Sequence, residues 1–214
     1  MSVILNFFGD FMKPISQRMT IPELIVYIAK FMFETGLTDI AGGNISAREG
    51  NVIYMSPTLA GNQFHWNIDT DDIVVGNADR MEEIKKHPRF TREGLSHLAI
   101  FKNFPFVGAI IHAHPKYINP FVAQSKPIPP LLSSSNHFGI LQYHEEAESY
   151  SQDQADKIVK VLQGQEDRMK KKAAGVLMPR HGIIVASADL ITAIDCLQRM
   201  NTNAFTLLAQ KWIE

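Results

Sequence analysis

The stretch 106–113 constrains the fold more than any other part of the chain. It runs apolar and β-rich into Ile110-Ile111-His112-Ala113-His114-Pro115, and such a run reads as a buried strand, covered on both faces. Covering it requires helices, and the sequence supplies them. A Thr20-x-x-Glu23 capping box opens a helix over 20–35, with Pro22 in its first turn and Leu24, Ile25, Ile28, Phe31 and Met32 at helical spacing. Gly36 stops it. Further helices are expected over 91–101 with Thr91 as cap, over 151–162 with Ser151 as cap, and over 189–212. Short strands are expected at 44–46 and 52–56, paired around Glu49-Gly50-Asn51, and at 72–75, 175–178 and 182–186. Strands and helices interleave without βαβ regularity. The expected fold class is therefore α/β with a mixed or antiparallel central sheet.

The 214 residues are 45% hydrophobic and carry no linker-like stretch, so one domain over 1–214 is expected, large enough to bury a core without disulfides. The formal net charge of -1 excludes the basic excess of a nucleic-acid binder. Residues 1–8 open apolar and meet Asp10, with no basic segment ahead of them and no small-x-small cleavage site; no signal peptide is expected. No apolar run reaches the ~18 residues of a membrane span. Both point to a cytoplasmic protein. A single Cys against eight His excludes thiolate zinc folds, so a metal here must be held by imidazole and carboxylate.

Three local signals carry chemistry. On a strand His112 and His114 project from one side, about 7 Å apart along it, and can share a metal; one buried and one loop His would give the same pattern. His181 lies between two apolar strands in Met178-Pro179-Arg180-His181-Gly182, where it reads equally as a turn residue. Glu93, in Thr91-Arg92-Glu93-Gly94, falls in the first turn of the expected helix, where a carboxylate also suits the helix dipole.

Taken in order, Gly42-Gly43-Asn44-Ile45-Ser46, Ser56-Pro57-Thr58, Glu93, His112-Ala113-His114 nineteen residues later, and Arg180-His181-Gly182 resemble the class II aldolase/adducin family from about Thr20 onward. The resemblance implies a three-layer α/β/α sandwich around a mainly antiparallel sheet. It implies Zn²⁺ on His112, His114 and His181, and Glu93 as acid/base. Gly43 and Asn44 are implied in the substrate phosphate loop. The activity implied is zinc-dependent cleavage of a ketose 1-phosphate, of fuculose, rhamnulose or ribulose type, to dihydroxyacetone phosphate and an aldehyde. The partner implied is a second copy: a homotetramer with active sites at subunit interfaces. The same site serves epimerases, dehydratases and decarboxylases in related proteins, and adducin-like domains use the fold without catalysis. The chemistry agrees, because three neutral imidazoles leave a divalent metal an open position and Glu93 can take and return a proton.

The chain departs from the aldolase pattern in three places. Leu59 follows Thr58 where the aldolases carry Gly. Thr91-Arg92 replaces a Ser-Ser pair, and the Arg92 fork can hold phosphate or carboxylate. No Tyr occurs near Leu131–Ser135, where the aldolases supply one across subunits; His137 is the nearest candidate acid, or a loop His bonded to backbone. Of the other His, His97 is expected in a packing role, His144 on a solvated face with Glu145 and Glu146, and His65 and His87 in loops. Cys196 is expected in the core.

Overall fold

The computed structural model describes residues 13–213, so the expectation about the first residues of the chain lies outside it. Seven strands form one sheet: β1 (Asn44–Glu49), β2 (Val52–Met55), β3 (Val74–Asn77), β4 (Ala109–Ala113), β5 (Gln142–Tyr143), β6 (Ala173–Met178) and β7 (Gly182–Ser187). Their spatial order is β3-β2-β1-β4-β7-β6-β5. Every neighbouring pair is antiparallel except β5 with β6.

Four helices of ten residues or more cover the sheet among the described residues: α1 (Ile21–Glu34), α2 (Gly94–Asn103), α3 (Gln152–Leu162) and α4 (Leu190–Ala209). Strand alternation assigns them to two layers. Ala109, Ile111 and Ala113 of β4 pack with Ile25 and Ile28 of α1 and Leu197 and Met200 of α4. Ile110 packs on the other face with Leu98 and Phe101 of α2 and Ile158 and Leu162 of α3. The architecture is the α/β/α sandwich around a mainly antiparallel sheet. None of these helices is long and apolar enough to cross a membrane.

The ends of the elements show what the pattern does not carry. The apolar run at 106–113 starts as a turn, with the Val107 N–H on the Phe104 carbonyl at 2.9 Å; only Ala109–Ala113 is strand. Pro105 and Gly108 interrupt what hydrophobicity alone reads as continuous. The strand expected at 72–75 begins at Val74, because Asp69 caps a 3₁₀ turn over Thr70–Asp72. The helix expected at 91–101 starts at Gly94, so Thr91 is not its cap and Glu93 is not in its first turn. The Gly94 N–H closes a turn onto the Thr91 carbonyl at 3.0 Å. Glu93 occupies the cap position without capping, which frees its carboxylate to point elsewhere. The expected cap Ser151 does hold, accepting from the Gln154 N–H, and Asp189, expected within the last helix, caps it by accepting from the Thr192 N–H. His144 is buried rather than on a solvated face, with its Nδ1 on the Glu145 carbonyl.

Candidate active site

The sheet brings the three imidazoles together by register. His112 pairs with Asn44 of β1 on one side and Ile184 of β7 on the other. Ala113 pairs with Ile183, so the β6–β7 turn holding His181 rises beside the end of β4. The ring centroids of His112, His114 and His181 lie 4.9 to 5.4 Å apart, and one nitrogen from each falls within 4.8 Å of the others.

Two of the three rings have their orientation fixed from behind. His112 Nδ1 lies 3.0 Å from the Ile183 carbonyl, and His114 Nδ1 lies 3.1 Å from Asp39 Oδ1. Oxygens of these kinds accept only, so each Nδ1 carries a proton, and a neutral ring then has its lone pair on Nε2. Both Nε2 atoms are buried without a hydrogen-bond partner. Burial and the neighbouring imidazoles hold His114 down to about 4 against the pull of Asp39, which keeps it a neutral ligand at pH 7. Three imidazole nitrogens converging within 4.8 Å, two of them buried and unpartnered, are a donor set that a divalent cation can use, so the residues present fit a metal.

Glu93 closes the site from the start of α2. Its Oε1 is 3.3 Å from His112 Nε2 and 3.1 Å from His181 Nε2. Its Oε2 accepts a hydrogen bond from the Asn44 amide. Burial raises its pKa, but the His112 and His181 imidazoles beside Oε1 outweigh burial, and the net shift is downward.

The loop before β1 is shaped to the imidazoles. A Cβ at Gly42 would lie 2.5 Å from His114 Cε1, and Gly43 has φ +115 with a Cβ position 2.7 Å from Thr38 Oγ1. Only glycine permits either approach. The Asn44 amide nitrogen donates to Glu93 Oε2. Arg92 is exposed at the rim, donating to the Ala41 carbonyl at 2.6 Å. Thr91 is buried beside Glu93 in sequence, and Thr58 is half-buried, its N–H on the Arg89 carbonyl at 3.0 Å. Leu59, where the aldolase pattern has Gly, is held at φ +62, the left-handed region that glycine favours. His137 stands apart from the imidazoles in this chain. It is exposed in the 3₁₀ turn Ser133–Phe138, and the charges that act on it are those of Lys172, Arg199 and Asp195.

Two groups at the site, Asp39 and Tyr150, escape sequence reasoning. Asp39 reaches His114 from a loop with no telling spacing. Tyr150 has its ring 5.6 Å from that of His181 and 5.4 Å under the Arg92 guanidinium; nothing in the sequence around the Ser151 cap announces it. His97 bonds Ser46 Oγ through Nδ1 at 2.6 Å, which ties α2 to β1 one turn beyond Glu93; the expected packing role has this physical form.

Comparison with known proteins places the chain in one family. Residues 23–208 match the class II aldolase and adducin N-terminal domain. An L-fuculose phosphate aldolase of Methanococcus maripaludis is 31% identical over 101 residues, 47% of this chain and 53% of that protein; the match spans about half the length of that relative. A 3-oxo-tetronate 4-phosphate decarboxylase of Haemophilus influenzae is 25% identical over 88% of this chain and 89% of its own. Among solved structures, an L-fuculose 1-phosphate aldolase superposes with a TM-score of 0.73 at 22% identity, covering 91% of this chain and 88% of that one; at that identity it speaks for the fold. Since the family match takes in most of the chain, together with Glu93 and all three clustered imidazoles, this protein belongs to the class II aldolase and adducin N-terminal domain family.

Proposed function

We propose that the protein is a zinc-dependent lyase that reversibly cleaves a ketose 1-phosphate, of fuculose, rhamnulose or ribulose type, to dihydroxyacetone phosphate and an aldehyde. The observation that carries this reading is Glu93 Oε1 lying 3.1–3.3 Å from two imidazole nitrogens of a three-imidazole cluster. His112, His114 and His181 would hold the cation, which when bound supplies a Lewis acid for the substrate oxygens. The chain's own work is positioning and proton transfer. Asn44 holds Oε2 of Glu93, leaving Oε1 toward the imidazoles. In cleavage the C3–C4 bond breaks, the C4 hydroxyl proton is lost as C4 becomes the aldehyde carbon, and the electron pair left on C3 takes a proton. Glu93, ionised at the outset, takes up the C4 hydroxyl proton on Oε1 and delivers it to C3, and runs the two transfers in reverse in the condensation direction.

The phosphate falls, in this reading, to Gly43, Asn44, Thr58, Thr91 and Arg92, with Arg92 supplying the positive charge. The enzyme would work as one cytoplasmic domain assembled into a homotetramer, with His137 the candidate acid brought across an interface. Metal analysis of the purified protein tests the reading first: about one zinc per chain is expected, and no bound divalent metal would end it. Glu93→Gln should then lower cleavage by about 10²–10⁴-fold with zinc retained. A second reading, decarboxylation of a phosphorylated sugar acid, draws on the Haemophilus influenzae relative and on Arg92, whose fork suits a carboxylate. Product mass separates the two, since decarboxylation loses carbon dioxide.

A further inference from the structure

We propose that Asp39 is the positioning residue of the metal site, fixing the tautomer and the aim of His114. The proposal rests on the reading of the three imidazoles as metal ligands.

The geometry is that of an outer-sphere carboxylate. Asp39 Oδ1 accepts a hydrogen bond from the His114 Nδ1–H at 3.1 Å, and so presents the Nε2 lone pair to the space shared with His112 and His181. Oδ1 is itself fixed, because it also accepts the Ala41 N–H at 2.9 Å and the Gly42 N–H at 3.3 Å. The main chain of Asp39 is clamped as well: its carbonyl accepts the Trp66 indole N–H at 2.8 Å. Trp66 is buried and held at φ +62. Gly42 meanwhile presses its backbone against the His114 ring, where a Cβ would lie 2.5 Å from Cε1. The imidazole is thus gripped at its nitrogen and along the ring.

His112 offers an internal contrast. Its Nδ1 bonds a neutral main-chain carbonyl, which orients the ring without adding charge. A carboxylate in that place also raises the basicity of the ligand nitrogen. The same loop reaches the rim, since Ala41, whose N–H is on Asp39, accepts from Arg92 through its carbonyl at 2.6 Å.

Removing such a partner weakens metal binding by about 10–100-fold. The Asp39 side chain is 49% exposed, so water replaces part of what is lost and the lower half of that range is expected. The test is zinc affinity of the purified full chain, measured by competition with a chromogenic chelator, for wild type, Asp39→Ala and Asp39→Asn. Asp39→Ala should bind zinc about tenfold or more weakly. Asp39→Asn keeps an acceptor for the three N–H groups but loses the charge, and should fall between. In metal-free protein labelled with ¹⁵N-histidine, the His114 resonance, identified by its loss in His114→Gln, should report a protonated Nδ1 in wild type and a mixture of tautomers in Asp39→Ala. Wild-type zinc binding with both Asp39 variants within twofold of it overturns the proposal and leaves the metal site standing. Failure of wild type to bind zinc removes the metal reading, and this proposal with it. If Asp39→Ala melts early, Asp39→Asn decides: wild-type melting with weakened zinc sustains the role, and unchanged zinc refutes it.

Discussion

His112 reaches the candidate metal site from β4 and His114 from the residue just past its end; His181 reaches it from a turn, and the two regions are built on opposite terms. All five residues of β4 are fully buried, flanked on both sides by ladders, and each strand-side imidazole has its Nδ1 bonded. The β6–β7 turn carries Arg180 at φ +55 just before His181. His181 Nδ1 is buried with no partner, and its ring is flanked by the exposed Tyr150. Two ligands are thus fixed before any ion arrives, His112 within the sheet and His114 by Asp39 just past the strand's end, while the third sits on a segment whose local opening costs less. Such a site combines a preset half with an adjustable half.

The hardest test of that division removes one ligand from each half. His112→Ala should abolish stoichiometric zinc, with affinity falling beyond the ~10–100-fold attached to an outer-sphere partner. His181→Ala should also lose affinity, but less, because the strand pair and Glu93 remain in place. Equilibrium dialysis against zinc of known free concentration gives the order. If His181→Ala binds more weakly than His112→Ala, the preset half is not the strand.

Acid should attack the strand side. His97, on α2, is bonded to Ser46 in the strand beside β4. Burial, with a smaller push from His112, lowers it to about 3 from 6.5 against the pull of Glu93. Between those values the unfolded chain binds a proton that the folded chain refuses. The stability His97 contributes is therefore full above pH 6.5 and is lost as pH falls toward 3, at up to about 1.4 kcal/mol per pH unit. Urea unfolding from pH 7 to 4 should show a shallower slope in His97→Gln by up to one proton. An unchanged slope would mean that the imidazole behind the strand is not held neutral.

On the turn side the expected effects are smaller. The Tyr150 ring lies between His181 and the Arg92 guanidinium, and an exposed cation–π contact contributes about 0.5–1 kcal/mol. Tyr150→Ala should raise KM for an anionic substrate about 2–5-fold with kcat little changed, and Tyr150→Phe should match wild type. Equal losses in both variants would shift the role from the ring to the phenol hydroxyl, and the turn side would then hold a reacting group rather than an adjustable wall.

The same division governs how much of the molecule was legible. The buried strand and the place of His112 on it follow from alternation, because burial and side-chain direction on a strand repeat every two residues; His114 falls just past the strand's end, and a loop rather than the ladder aims it. The layers follow from helical spacing such as Leu24, Ile25 and Ile28. His181 has no such period behind it; its place beside Glu93 comes from the pairing of β4 with β7, a non-local contact that only the family resemblance pointed to. Asp39, Tyr150 and the cap position of Glu93 were illegible for a related reason. Each depends on where a loop lies against a distant side chain, and no local pattern encodes that. His144 misled because its charged neighbours Glu145 and Glu146 suggest solvent, whereas its own ring turns inward.

The smallest effect probes the turn itself. Arg180 at φ +55 carries the left-handed penalty of about 1–2 kcal/mol that a Cβ imposes. Arg180→Gly removes it, but glycine loses about 0.5–1 kcal/mol more conformational freedom on folding. The variant also gives up the Arg180–Glu146 ion pair, 70% exposed on both sides, which contributes about 0–1 kcal/mol. The Arg180 N–H, bonded to the Val122 carbonyl at 3.1 Å, is kept. These contributions nearly cancel, so denaturant unfolding of metal-free Arg180→Gly should lie within about 1 kcal/mol of wild type. A turn that merely carries His181 would then bind zinc as wild type does, whereas a turn whose strained residue holds the imidazole in place would lose affinity at unchanged stability. The adjustable half predicts the first outcome: the ion, once bound by His112 and His114, draws His181 into position, and the backbone before it has little to contribute.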